Sequence, residues 1–195
     1  MIARHNPYSQ DRIARALPFD PTWCGTDWDR LLADLAARHY RGQIVGPHGS
    51  GKTTLIESLV PRLTAAGLTC HRWLITDEHP GPTPDRWAAL DHIAASDCLI
   101  IDGAERLTWL AWRRLRRAVP RLGGFIVTTH RPLRHLPRWI DTRSHPGMLA
   151  AFLDRLDPGH PLTAADIARL HQDCRGNLRE ALWQCYDRTA HRSER

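Results

Sequence analysis

The residue types with the clearest chemical potential lie together in a glycine-rich segment that contains the only lysine of the chain. The segment consists of Gly46, Pro47, His48, Gly49, Ser50, Gly51, Lys52, Thr53 and Thr54, all candidate nucleotide-binding residues. Its spacing, a glycine, four residues and then Gly-Lys-Thr, is typical of a loop whose backbone N–H groups surround phosphates. Lys52 is predicted to reach the outer phosphates, and Thr53 to bind Mg²⁺ through its hydroxyl group. A glycine-rich turn without a ligand is the alternative.

A second candidate is Asp102, which follows the apolar run Leu99-Ile100-Ile101. A continuous apolar run of this length indicates a strand buried on both faces of a parallel sheet. Ligands of such sheets bind at the carboxyl ends of the strands, so Asp102 is predicted to hold Mg²⁺ together with Thr53. The alternative is an aspartate that caps a following helix.

The elements that must position these residues alternate between strand and helix. Strands are predicted at residues 43–45, 69–76, 98–102, 124–129 and 138–142. Helices are predicted at residues 27–41, 51–66, 84–95, 106–119, 147–156, 163–174 and from about 178 to 189, the first with Thr26 and Asp29 as a capping box. This alternation predicts an α/β fold, a doubly wound, mostly parallel sheet of five strands with a small C-terminal helical lid.

The pattern divides the chain into three parts. Residues 1–41 are predicted to be an irregular N-terminal segment and a leading helix, 42–156 the core, and 157–195 the helical lid. The composition, with 42% hydrophobic and 25% charged residues, is that of a globular protein. No apolar run is long enough to span a membrane and the first residues lack a signal peptide. With five scattered cysteines, these observations predict a cytoplasmic protein.

Residues 46–53 and 99–102 together resemble the Walker A and Walker B motifs of P-loop NTPases. The order of strands is similar to that of the branch with an additional catalytic glutamate, to which AAA+ and STAND ATPases belong. The resemblance covers about residues 42–190 and implies that the chain binds ATP with Mg²⁺ and hydrolyses ATP, with Lys52 and Asp102 in the catalytic site.

The sequence departs from the AAA+ pattern after Asp102. AAA+ proteins usually place a glutamate directly after this aspartate, whereas this chain has Gly103, and the next acid is Glu105. Glu105 is either the base that orients the attacking water, which requires an unusual turn at Gly103, or an acid that complements a helix dipole.

The resemblance also implies two residues that sense the nucleotide. The fourth strand ends in Thr128-Thr129-His130, and one of these three, with Thr129 as the candidate catalytic residue, is expected to face the nucleotide. Arg179 follows Gly176-Asn177 as the second sensor of AAA+ lids does, and it is the last catalytic candidate. Ordinary strand-end residues and a solvated helix arginine are the alternatives.

The partners of the chain are less constrained by its sequence. The helix at 106–119 interleaves arginines with two tryptophans, a pattern that fits nucleic acid or a protein partner and also fits a solvated face of a helix that packs on the sheet. Arg131, Arg134 and Arg138 are possible arginine fingers in an oligomer. Three functions stay open: an ATPase that drives a protein partner, a nucleotide switch with little turnover, and a small-molecule kinase in which Asp77 or Glu78 binds the acceptor.

Overall fold

The computed structural model describes residues 6–79 and 81–192, and its central element is a parallel sheet of five strands. The strands are β1 (Arg41–Val45), β2 (Thr69–Leu74), β3 (Asp97–Asp102), β4 (Gly124–Thr129) and β5 (Arg138–Asp141). Their spatial order is β2-β3-β4-β1-β5, and every neighbouring pair is parallel. The predicted α/β sheet is therefore confirmed. Since β4 lies between β1 and β3, its carboxyl end is adjacent to both strands that carry the predicted phosphate and metal ligands.

The described residues contain eight α-helices, two before β1 and the others between or after the strands. They are α1 (Gln10–Ala16), α2 (Trp28–Ala37), α3 (Lys52–Ala65), α4 (Pro84–Asp91), α5 (Trp109–Ala118), α6 (Pro146–Leu156), α7 (Ala164–Asp173) and α8 (Leu178–Arg192). Short 3₁₀ turns lie at Pro21–Cys24, Ala104–Arg106 and Val119–Arg121. No helix of the described part is long and apolar enough to cross a membrane.

The sheet is covered on both faces, as the uninterrupted apolar run of β3 predicts. Successive side chains of a strand point to opposite faces. Ile100 accordingly packs in one cluster with α2 and α3, whereas Leu99 and Ile101 pack in another with α4 and α5. All three side chains are fully buried. This packing fixes the end of β3, and with it the position of Asp102.

A third cluster lies in the helical part of the molecule. It joins buried residues of α6, α7 and α8 with Tyr8 and Leu17 from the N-terminal segment. The predicted lid begins at residue 157, and in the structure α6, which lies before that boundary, also packs with α7 and α8. These three helices, from Pro146 to Arg192, are called the helical unit below. The N-terminal segment is also divided, because Tyr8 and Leu17 pack on the helical unit, whereas Phe19 and α2 pack in the sheet cluster.

Several predicted boundaries differ from the observed ones. The capping box of Thr26 and Asp29 is wrong, because α2 begins one residue later and Asp27 Oδ1 caps it by accepting the Arg30 N–H at 2.8 Å. The irregular opening contains α1, which was not predicted. The helix predicted from residue 106 begins only at Trp109, after the 3₁₀ turn, with Thr108 as its cap.

Candidate nucleotide-binding site

The glycine-rich loop connects β1 to α3 and needs its glycines at specific points. Gly49 and Gly51 have φ values of 69° and 88°, a region that L side chains rarely adopt. Gly46 is restricted by packing, since a Cβ there would lie 2.2 Å from Thr142 Oγ1. The first turn of α3 begins at Lys52, so its N–H groups and the positive end of its dipole face the loop.

Lys52 is buried, and its ammonium lies within the loop. Nζ donates hydrogen bonds to the carbonyl oxygens of Gly46 at 2.6 Å and Pro47 at 2.7 Å. Burial lowers the pKa of Lys52, while the negative charges of Glu105 and Asp102 act in the opposite direction. An ammonium has three donors, so one donor is left for a phosphate oxygen. The loop therefore has the donors that a polyphosphate requires.

Asp102 is the acceptor on which the side chains at the end of β3 converge. Its Oδ2 accepts a hydrogen bond from Thr53 Oγ1 at 3.0 Å, and its Oδ1 accepts one from Thr128 Oγ1 at 2.8 Å. Thr53 and Asp102 thus lie side by side, and their binding of Mg²⁺ stays a prediction. In the described residues no group of three or more His, Cys, Asp or Glu side chains is arranged to hold a metal ion. One hydroxyl and one carboxylate fit Mg²⁺, which keeps water and substrate phosphates as its other ligands.

Arg72 on β2 is a residue of the site that the sequence analysis missed. Its Nη2 lies 3.0 Å from Asp102 Oδ2, and its Nη1 lies 3.6 Å from Glu57 Oε1 on α3. The register pairs Arg72 with Ile100, two residues before Asp102 on the same face of β3. A diagonal neighbour of this kind depends on which strands are adjacent, and the sequence alone does not show that adjacency.

Glu105 reaches the loop side of the site through an unusual turn. Gly103 has a φ of 91°, and a Cβ there would lie 2.4 Å from the carbonyl oxygen of Ile75. Glu105 Oε1 then lies 3.2 Å from His130 Nδ1 and 2.9 Å from Arg106 Nη1. The turn that a catalytic Glu105 requires is therefore present.

The end of β4 contributes two polar side chains to the site and directs a third away from it. Thr128 accepts the Gly103 N–H at 2.8 Å and donates to Asp102, so it supports the metal ligand. The His130 ring lies 3.7 Å from the His48 ring of the loop, centroid to centroid. Thr129, the predicted candidate, is fully buried beside Gln43, with Oγ1 3.4 Å from Gln43 Oε1, and does not line the cleft. The geometry favours His130 as the residue that faces a nucleotide.

Arg179 lies in the first turn of α8 and lines the same cleft. The start of this helix lies against the loop, since a Cβ at Gly49 would be 1.8 Å from Asn177 Oδ1 and 3.3 Å from Arg179 Cβ. Asn177 Oδ1 also accepts the Glu180 N–H at 3.1 Å and so caps α8. The structure thus brings Arg179 to the phosphate loop, and Arg179 has no ion-pair partner among the described residues.

The cleft extends from the loop into an apolar region between the N-terminal segment and the helical unit. Its volume is about 680 Å³, within the usual range for small-molecule sites. Leu17, Phe19 and Trp23 line it from one side, and Phe152 and Leu182 from the other. Apolar surfaces of this kind suit the flat base of a nucleotide. Sequence analysis missed these residues because they are far apart along the chain and because each is an apolar residue of the kind expected in any core.

Comparisons with known proteins identify structures with a similar fold but no matching family. No protein-family profile matches the sequence, and no curated protein matches it. The fold is similar to solved structures of RuvB from Thermotoga maritima. One, described as the Holliday junction branch migration motor, has a TM-score of 0.55 and 18% sequence identity over 80% of this chain and 58% of that chain.

Two mutant forms of the same protein give similar results. One has a TM-score of 0.54 and 18% identity over 80% of this chain and 58% of that chain. The other has a TM-score of 0.55 and 19% identity over 90% of this chain and 60% of that chain. This chain therefore spans less than two thirds of the length of these structures. At such identities the likeness shows a shared α/β fold, and the chemistry of this chain must be argued from its own residues.

Proposed function

We propose that this chain binds ATP and Mg²⁺ in the cleft beside the glycine-rich loop and hydrolyses ATP, as an AAA+- or STAND-like ATPase. The observation that carries the proposal is the convergence on this cleft of Lys52 and Thr53 from α3, Asp102 from β3 and Glu105 from the 3₁₀ turn after β3. Each of these side chains has the chemistry that one part of the reaction requires.

In this proposal the backbone N–H groups of the loop and the Lys52 ammonium bind the phosphates and offset their negative charge. Thr53 and Asp102 hold Mg²⁺, which neutralises charge on the phosphate oxygens. Glu105 accepts a proton from the attacking water, while Arg106 and His130 fix the position of its carboxylate. Burial lowers the pKa of His130, with the negative charge of Glu105 acting in the opposite direction, so a neutral ring that donates from Nδ1 suits this role.

The kinase alternative is weakened by the contacts of its acceptor candidates. Asp77 lines the cleft, but Arg106 Nε donates to its Oδ1 at 2.6 Å, so the carboxylate is already paired. This hydrogen bond lowers the pKa of Asp77, which makes the carboxylate a weaker base. Glu78 is exposed and does not line the cleft.

The switch alternative has a specific observation in its favour. Arg106 Nη1 and His130 Nδ1 both contact Oε1 of Glu105, so Oε2 is the oxygen that is left to accept a proton from water. A domain in which these two contacts hold Oε2 away from the attacking water would keep ATP without consuming it, until a partner changes the position of Arg106 or His130.

Release of phosphate by the wild type and by Glu105→Gln tests the proposal. Glu105→Gln keeps the size of the side chain and removes the basic oxygen, so we expect unchanged ATP affinity and a loss of roughly 10²-fold or more in hydrolysis. ATP binding without turnover in the wild type would support the switch, and transfer of phosphate to an added acceptor would support the kinase. No affinity for ATP in the wild type would overturn all three.

The proposed assembly and location rest on other residues. We propose that hydrolysis drives a protein partner, since the helical unit contacts the loop and would transmit its motion. Arg131 and Arg134 are exposed and have no ion-pair partner in the described part of the chain, whereas Arg138 lies 3.7 Å from Asp141 Oδ2. The first two are therefore the better candidates for arginine fingers in an oligomer.

A cytoplasmic location is supported by five free cysteines.

A further inference from the structure

One face of α5 presents arginine and tryptophan side chains outside the cleft, and of these only Trp112 also packs against the core. Their positions follow the i, i+3, i+4, i+7, i+8 spacing of a single helix face. This arginine–tryptophan face consists of Trp109, Trp112, Arg113, Arg116 and Arg117, with His135 from the loop between β4 and β5 beside it. The Trp109 side chain is 70% exposed, which is unusual for so large an apolar group.

Most of this face lies outside the core. The opposite side of α5 supplies the packing on the sheet, where Ala111, Leu115 and Ala118 are buried. Trp112 is partly buried, because its ring packs against the core residue Phe125, and it also contacts His135 at 5.1 Å between ring centroids. The exposed Trp109 ring and the guanidinium groups of Arg113, Arg116 and Arg117 therefore form the part of the face that the core does not use.

The charges of the face are also uncompensated. Arg116 and Arg117 have no ion pair or hydrogen bond among the described residues, and no carboxylate lines the depression between α5 and His135. Arg113 lies over the Trp109 ring at 5.5 Å. Arg114, on the next face of the same helix, is different, because it stacks on Trp87 at 4.6 Å and lies 3.7 Å from Asp91 Oδ2. Within α5, the unpaired positive charge is thus confined to the arginine–tryptophan face.

We propose that the arginine–tryptophan face binds single-stranded nucleic acid. The guanidinium groups of Arg113, Arg116 and Arg117 bind successive phosphates, and an unstacked base stacks on Trp109. Uncompensated guanidinium groups would bind any polyanion, but an acidic peptide has no flat surface for the exposed indole. In a duplex the base faces are already stacked, so the ring would gain nothing there.

A membrane is a poorer occupant of this surface. An amphipathic helix binds a lipid surface with a broad apolar face. The apolar face of α5 is turned toward the sheet, and what remains exposed is mainly cationic, with Trp109 and Leu110 as its large apolar side chains. The proposed surface shares no lining residue with the nucleotide cleft, so it goes beyond the proposed ATPase function and can be tested independently of it.

The test measures binding of a fluorescent oligo-dT of about 16 nucleotides, a length at the upper end of site sizes for one single-strand-binding fold. Trp109→Ala should weaken binding roughly ten-fold, and Trp109→Phe should retain most of the affinity, since stacking on one base contributes about 1–3 kcal/mol. The double variant Arg116→Gln/Arg117→Gln should lower the slope of log K against log salt by about 1.4, the value for two phosphate contacts on a single strand.

A matched control is Arg155→Gln/Arg169→Gln, which removes the same charge from exposed positions of α6 and α7. It should leave the affinity for oligo-dT within two- to three-fold of the wild type, and thermal unfolding should show that all variants are folded. The proposal is overturned if the face variants and the control bind oligo-dT equally well, or if the wild type prefers duplex DNA, poly-glutamate or anionic vesicles. ATP affinity is measured in parallel, so a failure here is distinct from a failure of the nucleotide site.

Discussion

Asp102 accepts hydrogen bonds from three side chains, and each comes from a different element of the core. Thr53 belongs to α3, Thr128 to β4 and Arg72 to β2. The carboxylate is 7% exposed, and a buried charge of this kind is costly unless it is paired. These contacts satisfy it when no metal is bound. Thr53 and Arg72 both contact Oδ2, whereas Thr128 contacts Oδ1, so Oδ1 keeps acceptor capacity for Mg²⁺ or for one of its water ligands.

We predict that Arg72→Gln lowers the Mg²⁺ concentration needed for nucleotide binding. The guanidinium group is a positive charge beside the proposed cation site, and removal of a like charge favours the cation. Gln keeps a donor for Asp102, so the carboxylate keeps a partner. We expect a shift of roughly three-fold or more in the midpoint of a Mg²⁺ titration that is followed with a fluorescent ATP analogue.

Arg72→Lys is the control for this prediction. It keeps the charge and loses the planar geometry, so the midpoint should stay close to that of the wild type. A higher Mg²⁺ requirement in Arg72→Gln would contradict the prediction and would show that Arg72 mainly orients the carboxylate for the metal.

We predict that Asp102→Asn reduces Mg²⁺-dependent ATP hydrolysis by roughly 10²-fold or more. A neutral amide is a poor ligand for Mg²⁺, and the metal contributes several kcal/mol to stabilisation of the transition state. Turnover titrated against Mg²⁺ measures the effect, with thermal unfolding as a check on the fold. A normal metal curve in this variant would show that Asp102 serves only to anchor Thr53, Thr128 and Arg72.

At the scale of elements, the contact between the start of α8 and the glycine-rich loop connects the helical unit to the proposed phosphate site. Asn177 caps α8 and lies against Gly49, so the loop and the cap share one small space. The turn before α8 has Arg175 and Gly176 at positive φ, and Ser144 Oγ donates to the carbonyl oxygen of Gly176 at 2.6 Å. A change in the conformation of the loop should therefore shift the first turn of α8, where Arg179 lies.

We predict that Gly49→Ala weakens ATP binding and lowers protein stability by at least about 1 kcal/mol, the cost of a side chain in a left-handed conformation. The added Cβ would also displace Asn177 from the loop. For a chain of this length, the loss should lower Tm by about 2–4 °C. Gly159→Ala is the matched control, because no atom lies within 4 Å of a Cβ there. Equal Tm values and ATP affinities for the two variants would show that the loop accommodates the change.

The elements differ in how well the sequence predicts them, because some depend on local sequence patterns and others depend on tertiary contacts. The five strands and α3 follow from local patterns, namely apolar runs and glycines with a positive φ. The late start of α5 depends on the turn at Gly103, which folds against the backbone of Ile75 on a neighbouring segment. The contact of Arg72 with Asp102 depends on strand adjacency, and so does the choice of His130 over Thr129. Such positions are fixed by tertiary contacts, which the order of residues along the chain does not show.

At the scale of the whole molecule, three regions far apart in sequence form the walls of the cleft. The N-terminal segment packs on the helical unit through Tyr8 and Leu17, and Trp23 lies 4.5 Å from Phe152 between ring centroids. A nucleotide in the cleft would touch this segment, the sheet and the helical unit at once. Binding should then stabilise the arrangement of all three, since a ligand that binds only the native state raises its stability.

The last prediction concerns Arg179, which we expect to contribute to this ligand-dependent stability and to contribute little without a nucleotide. Its side chain is exposed, lines the cleft and has no ion-pair partner in the part of the chain that the structure describes. Truncation to Ala should therefore leave the Tm of the free protein within about 1 °C of the wild type, as for other surface changes of this kind.

With a saturating, slowly hydrolysed ATP analogue, Arg179→Ala should gain less in Tm than the wild type, and its hydrolysis should fall more than its affinity for ATP. A guanidinium group that contacts the phosphates stabilises the transition state, where their charge changes, more than the bound ground state. Arg188→Ala, at an exposed position of the same helix outside the cleft lining, is the matched control and should behave as the wild type. If the two variants gain equally in Tm on binding and hydrolyse ATP at equal rates, Arg179 does not act on the nucleotide. In that case the helical unit would sense the ligand through Asn177 at Gly49 and through apolar side chains of the cleft such as Phe152 and Leu182.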